Sequence, residues 1–128
     1  MASSFTTSFG IEKIATGEQS GSWGTTTNYN IDILDRIASY KSVGLSDAST
    51  ATLTVRAGSP SDGGNNVQDG MYRIIKFTGT LSQNCTITIA PATTTSYFVF
   101  QNATSGGYSI IMKQGSGAAT VTIPTTKS

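Results

Sequence analysis

Seven carboxylates, one cysteine and no histidine are the groups from which this chain of 128 residues must build any chemistry. Without histidine there is no His-based triad or dyad and no His-containing zinc cluster. The acids are Glu12, Glu18, Asp32, Asp35, Asp47, Asp62 and Asp69. Asp32 and Asp35 fall on one expected helix, whereas a glycosidase needs two carboxyl groups flanking a cleft, so they read as solvated charge. The segment Asp62-Gly63-Gly64-Asn65-Asn66 offers oxygen ligands for Ca²⁺. Its spacing matches no EF-hand loop, and it reads as a loop led in by Ser59-Pro60-Ser61. Ser105-Gly106-Gly107 lacks the lysine and the following helix of a phosphate loop. It reads as a hairpin turn between two strands, 97–102 and 108–113. Cys85 stands in phase with Ile87 and Ile89 and reads as a small core side chain, with no imidazole to activate it. Asn84 and Asn102 begin Asn-x-Thr triplets, which mark glycosylation only in a secretory context. The expectation is a protein that is not an enzyme, with no catalytic residue, no metal and no cofactor.

Composition narrows the partners. Charged residues make up 12% of the chain and the net charge is +1. That charged share is about half the usual one of about 25%. The eight Lys and Arg residues are scattered, which argues against nucleic acid, since phosphate binding needs clustered cations. Thr, Ser, Asn and Gly supply the polarity, a balance common to secreted β domains, adhesins and virion proteins. No run approaches the roughly 18 apolar residues of a membrane span, so no membrane insertion is expected. Met1-Ala2-Ser3-Ser4 lacks the basic start of a signal peptide, and synthesis in a cytoplasm is expected.

The element that organises this chain is the stretch from Thr16 to Ala38. Gly17, Gly21 and Gly24 surround Trp23, the single tryptophan, as a bent backbone around a fixed aromatic. Thr25, Thr26 and Thr27 offer hydroxyls to a first helical turn. Ile33, Leu34, Ile37, Ala38 and Lys41 then form one helical stripe, predicting a helix over about 28–40, with Gly44 set to stop it. Asp32 and Arg36 stand at i, i+4 as an expected ion pair. Ahead of the helix, Phe5, Phe9, Ile11 and Ile14 fit neither a clean helix nor a long strand. They predict an extended arm docked on the protomer or on a neighbour.

Beyond Gly44 the period changes to two. Leu53 and Val55 alternate with threonines, as do Ile87 and Ile89. The runs 72–78 and 97–100 are apolar on both parities and predict strands buried on both sides. Tyr108–Met112 and Thr120–Ile123 complete the set. Turn residues at short regular intervals predict a mainly β fold, a small antiparallel sandwich or barrel-like domain of six or seven strands. The division expected is 1–24 as anchoring arm and Trp turn, 25–42 as short helix, and 43–128 as β domain.

Several of these residues resemble a known family. Thr16-Gly17-Glu18, Ser22-Trp23-Gly24 and Asn28 with Asn30 precede the helix. Thr78-Gly79-Thr80-Leu81, Pro91, Tyr97, the run Asn102 to Gly107, and Val121-Thr122-Ile123-Pro124 follow in order. Together they are similar to the N-terminal module of tail-fibre and related virion structural proteins of tailed bacteriophages, of the marine-phage type. The resemblance implies a non-enzymatic virion protein, usually homotrimeric, attached to the tail or baseplate through its N-terminal side. Phe5, Phe9, Ile11, Ile14 and Trp23 are then the expected assembly and anchoring residues. A tail fibre, a fibre-base adaptor, or a capsid-attached fibre or decoration protein all fit. The competing reading is a β module that binds carbohydrate on the host surface, with Tyr29, Tyr40, Tyr72, Tyr97 and Tyr108 as stacking faces.

Overall fold

Two parallel sheets face each other across one apolar core, and the chain alternates between them. The structure, a computed structural model, describes residues 3–6, 8–56, 67–116 and 119–127. Strands β3 (Tyr40–Gly44), β5 (Ile74–Thr78) and β7 (Val99–Asn102) form the first sheet, all parallel. Strands β4 (Thr50–Thr54), β6 (Cys85–Ala90) and β8 (Ile110–Gln114) form the second, also parallel. Strand β9 (Thr120–Ile123) turns back and pairs antiparallel with β8. Each pass from first sheet to second is one coil, and three coils stack as a short solenoid. The antiparallel sandwich expected from the turn spacing is therefore corrected: the fold is mainly β, but its sheets are parallel with one antiparallel strand.

The corners explain the difference. Ser105-Gly106-Gly107 does not join hairpin partners; it carries the chain from β7 in one sheet to β8 in the other. The equivalent corners of the earlier coils are Ser46–Asp47 and Gly79, and all three corners use left-handed backbone. That conformation is cheapest for Gly and tolerated by Asp, so each corner resembles a hairpin turn in sequence. The corners also continue the ladder. Leu45 N–H bonds Thr78 O at 3.1 Å, while Ser105 N–H bonds Gly79 O and Leu81 N–H bonds Ser105 O, each at 2.9 Å.

Inside, the period-two pattern holds. Leu53, Ile75, Phe77, Cys85, Ile87, Ile110, Met112 and Ile123 are buried in one cluster. Phe98 and Phe100 stack at 4.9 Å and Phe77 lies 5.7 Å from Phe100. Burial on both sides of β5 and of the 97–100 run is not found. Ile75 and Phe77 face in while Ile74 faces out, and Phe98 and Phe100 face in while Tyr97 and Val99 face out.

The front of the chain is not an extended arm. Strands β1 (Ser4–Phe5) and β2 (Glu12–Lys13) pair as a short antiparallel hairpin. Helix α1 spans Trp23–Ile37, starting earlier and ending sooner than the stripe suggested. Thr25–Thr27 lie inside it rather than at its cap. Ser22 occupies the N-cap without a side-chain capping bond; its hydroxyl donates to Gln19 O at 3.3 Å, and Ser22 N–H and Trp23 N–H reach the same oxygen at 2.8 Å. Gly44 ends β3 and plays no part in stopping the helix.

Asp47 ties the first corner to the second. Its carboxylate accepts from Ser82 N–H at 2.7 Å and from the Ser82 hydroxyl at 2.8 Å. These hydrogen bonds, the backbone one first, hold its carboxyl below the usual value. A carboxyl with a depressed folded-state pKa contributes stability above its unfolded pKa and loses it as pH falls through the folded value. We expect Asp47→Ala to lower the denaturation midpoint at about pH 7 and to match the parent near about pH 2. Parallel urea titrations at the two pH values check this.

Candidate functional site

The residues that carry the N-terminal module are polar, and the apolar ones lie around them. Asn30 on α1 clamps the β2 backbone, accepting from Glu12 N–H at 3.0 Å and donating to Glu12 O at 2.9 Å. Gln19, at φ 56, joins the hairpin to the helix. Its amide donates to the Glu12 carboxylate and to Ser3 Oγ, and its carbonyl accepts from the Thr26 hydroxyl. Glu12 and Thr26 are buried by this arrangement. Phe5, Phe9, Ile11 and Ile14 are all half-buried within their own subunit.

Trp23 departs most from expectation. It is the first residue of α1 and stands 60% exposed, with Ile31 at 55% and Leu34 at 56% on the same side. At 100° per residue, Trp23, Thr27, Ile31, Leu34 and Ala38 fall on one stripe. Ile33, fully buried, lies on a different side, with Ile37 half-buried. The helix thus has two apolar faces. One packs on its own protomer, against the Asp69–Met71 turn. The other is open to solvent. The expected Asp32–Arg36 pair is replaced: Arg36 bonds Asp69 at 3.0 Å and lies 5.1 Å over the Tyr72 ring.

The acids do not converge. Among the described residues no three His, Cys, Asp or Glu side chains stand close enough to hold a metal. The Asp62–Asn66 loop considered for Ca²⁺ lies outside the described residues. Cys85 is buried, and desolvation pushes its thiol pKa up, away from the reactive thiolate. Asn102, half of an Asn-x-Thr triplet, is fully buried and holds the last coil together. Nothing in a single sequence separates such an asparagine from an exposed one.

Two further surfaces are open. The second sheet has four strands and the first has three, so among the described residues no strand of the first sheet is left to stand opposite β9. Val121, paired with Met112 on the core side, is consequently 65% exposed. Beside it an apolar slot of about 280 Å³ runs along Ile89, Phe100, Met112 and Ile123. The other surface is the outer face of the first sheet. Tyr40, Ile74 and Val99 stand in register across its three strands, and all are exposed.

No protein-family model, curated protein or solved structure matches the chain. Among the described residues no helix is long and apolar enough to cross a membrane. The class that the fold defines is a mainly β protein, two facing parallel sheets led in by a hairpin and one helix.

Proposed function

We propose that this chain is a non-enzymatic structural protein of a phage virion. It acts as an oligomeric tail fibre or fibre-base adaptor, attached to the tail or baseplate through its N-terminal module. The likeness of Ser22-Trp23-Gly24 and the later motifs to tail-fibre proteins supports this reading, and implies three copies. The observation that carries it is the exposed stripe of Trp23, Ile31 and Leu34 on a helix already anchored by Ile33. This moves the expected contact. Phe5, Phe9, Ile11 and Ile14 are already largely covered by their own subunit, leaving α1 to meet a neighbour.

Fully burying such a side chain is worth about 1.5–3 kcal/mol, so covering the open half of each gains about 1 kcal/mol. Three per chain in a trimer compete with an association cost of roughly 4–15 kcal/mol. Assembly that depends on concentration is therefore expected from the isolated chain. Light scattering of the full chain should give an oligomer mass, three protomers on this reading. Ile31→Glu with Leu34→Glu should give a monomer with unchanged circular dichroism, because both side chains are exposed. A parent chain that stays monomeric at high concentration would overturn the reading.

A further inference from the structure

The outer face of the first sheet combines aromatic, apolar and cationic groups in an order that suits one kind of ligand. Tyr40, on edge strand β3, shares a hydrogen bond of 2.8 Å between its hydroxyl and that of Ser42 on the same strand. Reaching two residues along its own strand lays the Tyr40 side chain along the sheet surface, where it is exposed. At the opposite edge, just before β7, Tyr97 carries the Arg73 guanidinium 4.1 Å from its ring centroid. Tyr40 is 53% exposed and Tyr97 68%. Ile74 and Val99 make an apolar floor between them. The next outward row, in register, is Ser42, Lys76 and Gln101.

We propose that this face binds an anionic polysaccharide, a chain of pyranose rings bearing carboxylates, of the polyuronate type. The two edge strands are two strand spacings apart, about 10 Å. A short run of sugar rings covers that span with its C–H faces on Tyr40, the aliphatic floor and Tyr97. Ser42 and Gln101 meet ring hydroxyls, and Lys76 and Arg73 meet carboxylates. Charge complementarity decides the class. Among the described residues the sheet face carries Lys76 with Arg73 at its rim and no acid, and the ion pairs between described residues are Arg36–Asp69 and Lys41–Asp69. A single-stranded nucleic acid also stacks on aromatics, but it needs a cationic groove tracking every phosphate, and two cations do not make one.

The face shares no residue with the α1 stripe, so its test is independent of the one for self-association. Its test is isothermal titration of the full chain with polygalacturonate oligomers. Neutral galactan oligomers, dextran sulfate and a uridine oligonucleotide serve as comparisons. Polygalacturonate binding is expected, with Tyr40→Ala and Tyr97→Ala each weakening it about ten-fold or more. Lys76→Gln should narrow the preference for acidic over neutral glycan. Thermal midpoints should hold, because these side chains are exposed or half-buried. The monomeric Ile31→Glu, Leu34→Glu chain should keep per-site affinity, which separates failure of this inference from failure of the assembly reading. Absence of polygalacturonate binding overturns the inference. So does equal binding of dextran sulfate unaffected by Tyr40→Ala, or tighter binding of the oligonucleotide.

Discussion

Asn102→Leu is expected to lower the unfolding free energy by about 3–5 kcal/mol, near the top of the range for one substitution. Asn102 is fully buried at the end of β7 and uses its whole hydrogen-bonding capacity. Its amide nitrogen donates to Ile123 O at 2.9 Å and to Tyr108 O at 3.2 Å. Its amide oxygen accepts from Thr104 N–H at 3.1 Å and from the Thr104 hydroxyl at 2.6 Å. One side chain thus fixes the corner after β7, the entry to β8 and the end of β9. Leucine has a similar volume and fills the space, but it takes the Asn102 partner from the Ile123 carbonyl and from the buried Thr104 N–H and hydroxyl, while Tyr108 O keeps the Thr125 hydroxyl at 2.8 Å. Each such loss costs roughly 1–3 kcal/mol. Urea unfolding should show a lower midpoint with unchanged slope.

Asn102→Asp separates packing from donor count. A carboxylate accepts from Thr104 yet cannot donate to Tyr108 O or Ile123 O, and its charge is buried. Its folded-state pKa is driven above the unfolded value, so the protonated form is the one the fold favours. The sign is the reverse of that at Asp47. The Asn102→Asp deficit is largest at neutral pH and shrinks as pH falls, because the protonated acid recovers one donor.

Strand positions were legible in the sequence because alternation of Val, Ile and Leu with Thr reports directly which side chains face in. Strand order was not, since alternation is identical in parallel and antiparallel sheets. The information that separates them lies in the corners. Gly79 and Gly106 there have φ of 111° and 105°, a signal shared with hairpin turns. The coil repeat is also hidden, because Tyr40 aligns with Ile74 and Ile74 with Val99 across links of different length. Apolar residues on both parities of 72–78 and 97–100 predicted two buried faces. The core needed only one, and the remaining face, with Tyr40, Ile74, Tyr97 and Val99, became the surface for which a ligand is proposed. At the front of the chain Phe5, Phe9, Ile11 and Ile14 are half-buried on and around a short hairpin, where their spacing had suggested an extended arm. The polar pair that docks them, Gln19 and Asn30, carries no signature in type or spacing.

Gly106→Ala is the second large effect, expected to cost about 3 kcal/mol or more, and its neighbour supplies the control. Gly106 turns the third corner at φ 105°, where L residues are strained. A methyl built there would fall on the Leu81 carbonyl oxygen and within 3.1 Å of its carbon. Both atoms are backbone in the coil beneath, and Leu81 N–H is held by Ser105 O at 2.9 Å, so neither side can yield without opening the ladder. Gly107 has a similar φ of 83° but nothing within 4 Å of its added methyl. Gly107→Ala should therefore cost only the backbone strain, about 1–2 kcal/mol. The difference between the two variants isolates the steric contact between stacked corners. A hairpin turn, with no coil underneath, would make the two glycines equivalent. Equal denaturation midpoints for Gly106→Ala and Gly107→Ala would therefore count against the stacked-coil architecture, and a wide gap in the stated direction follows from it.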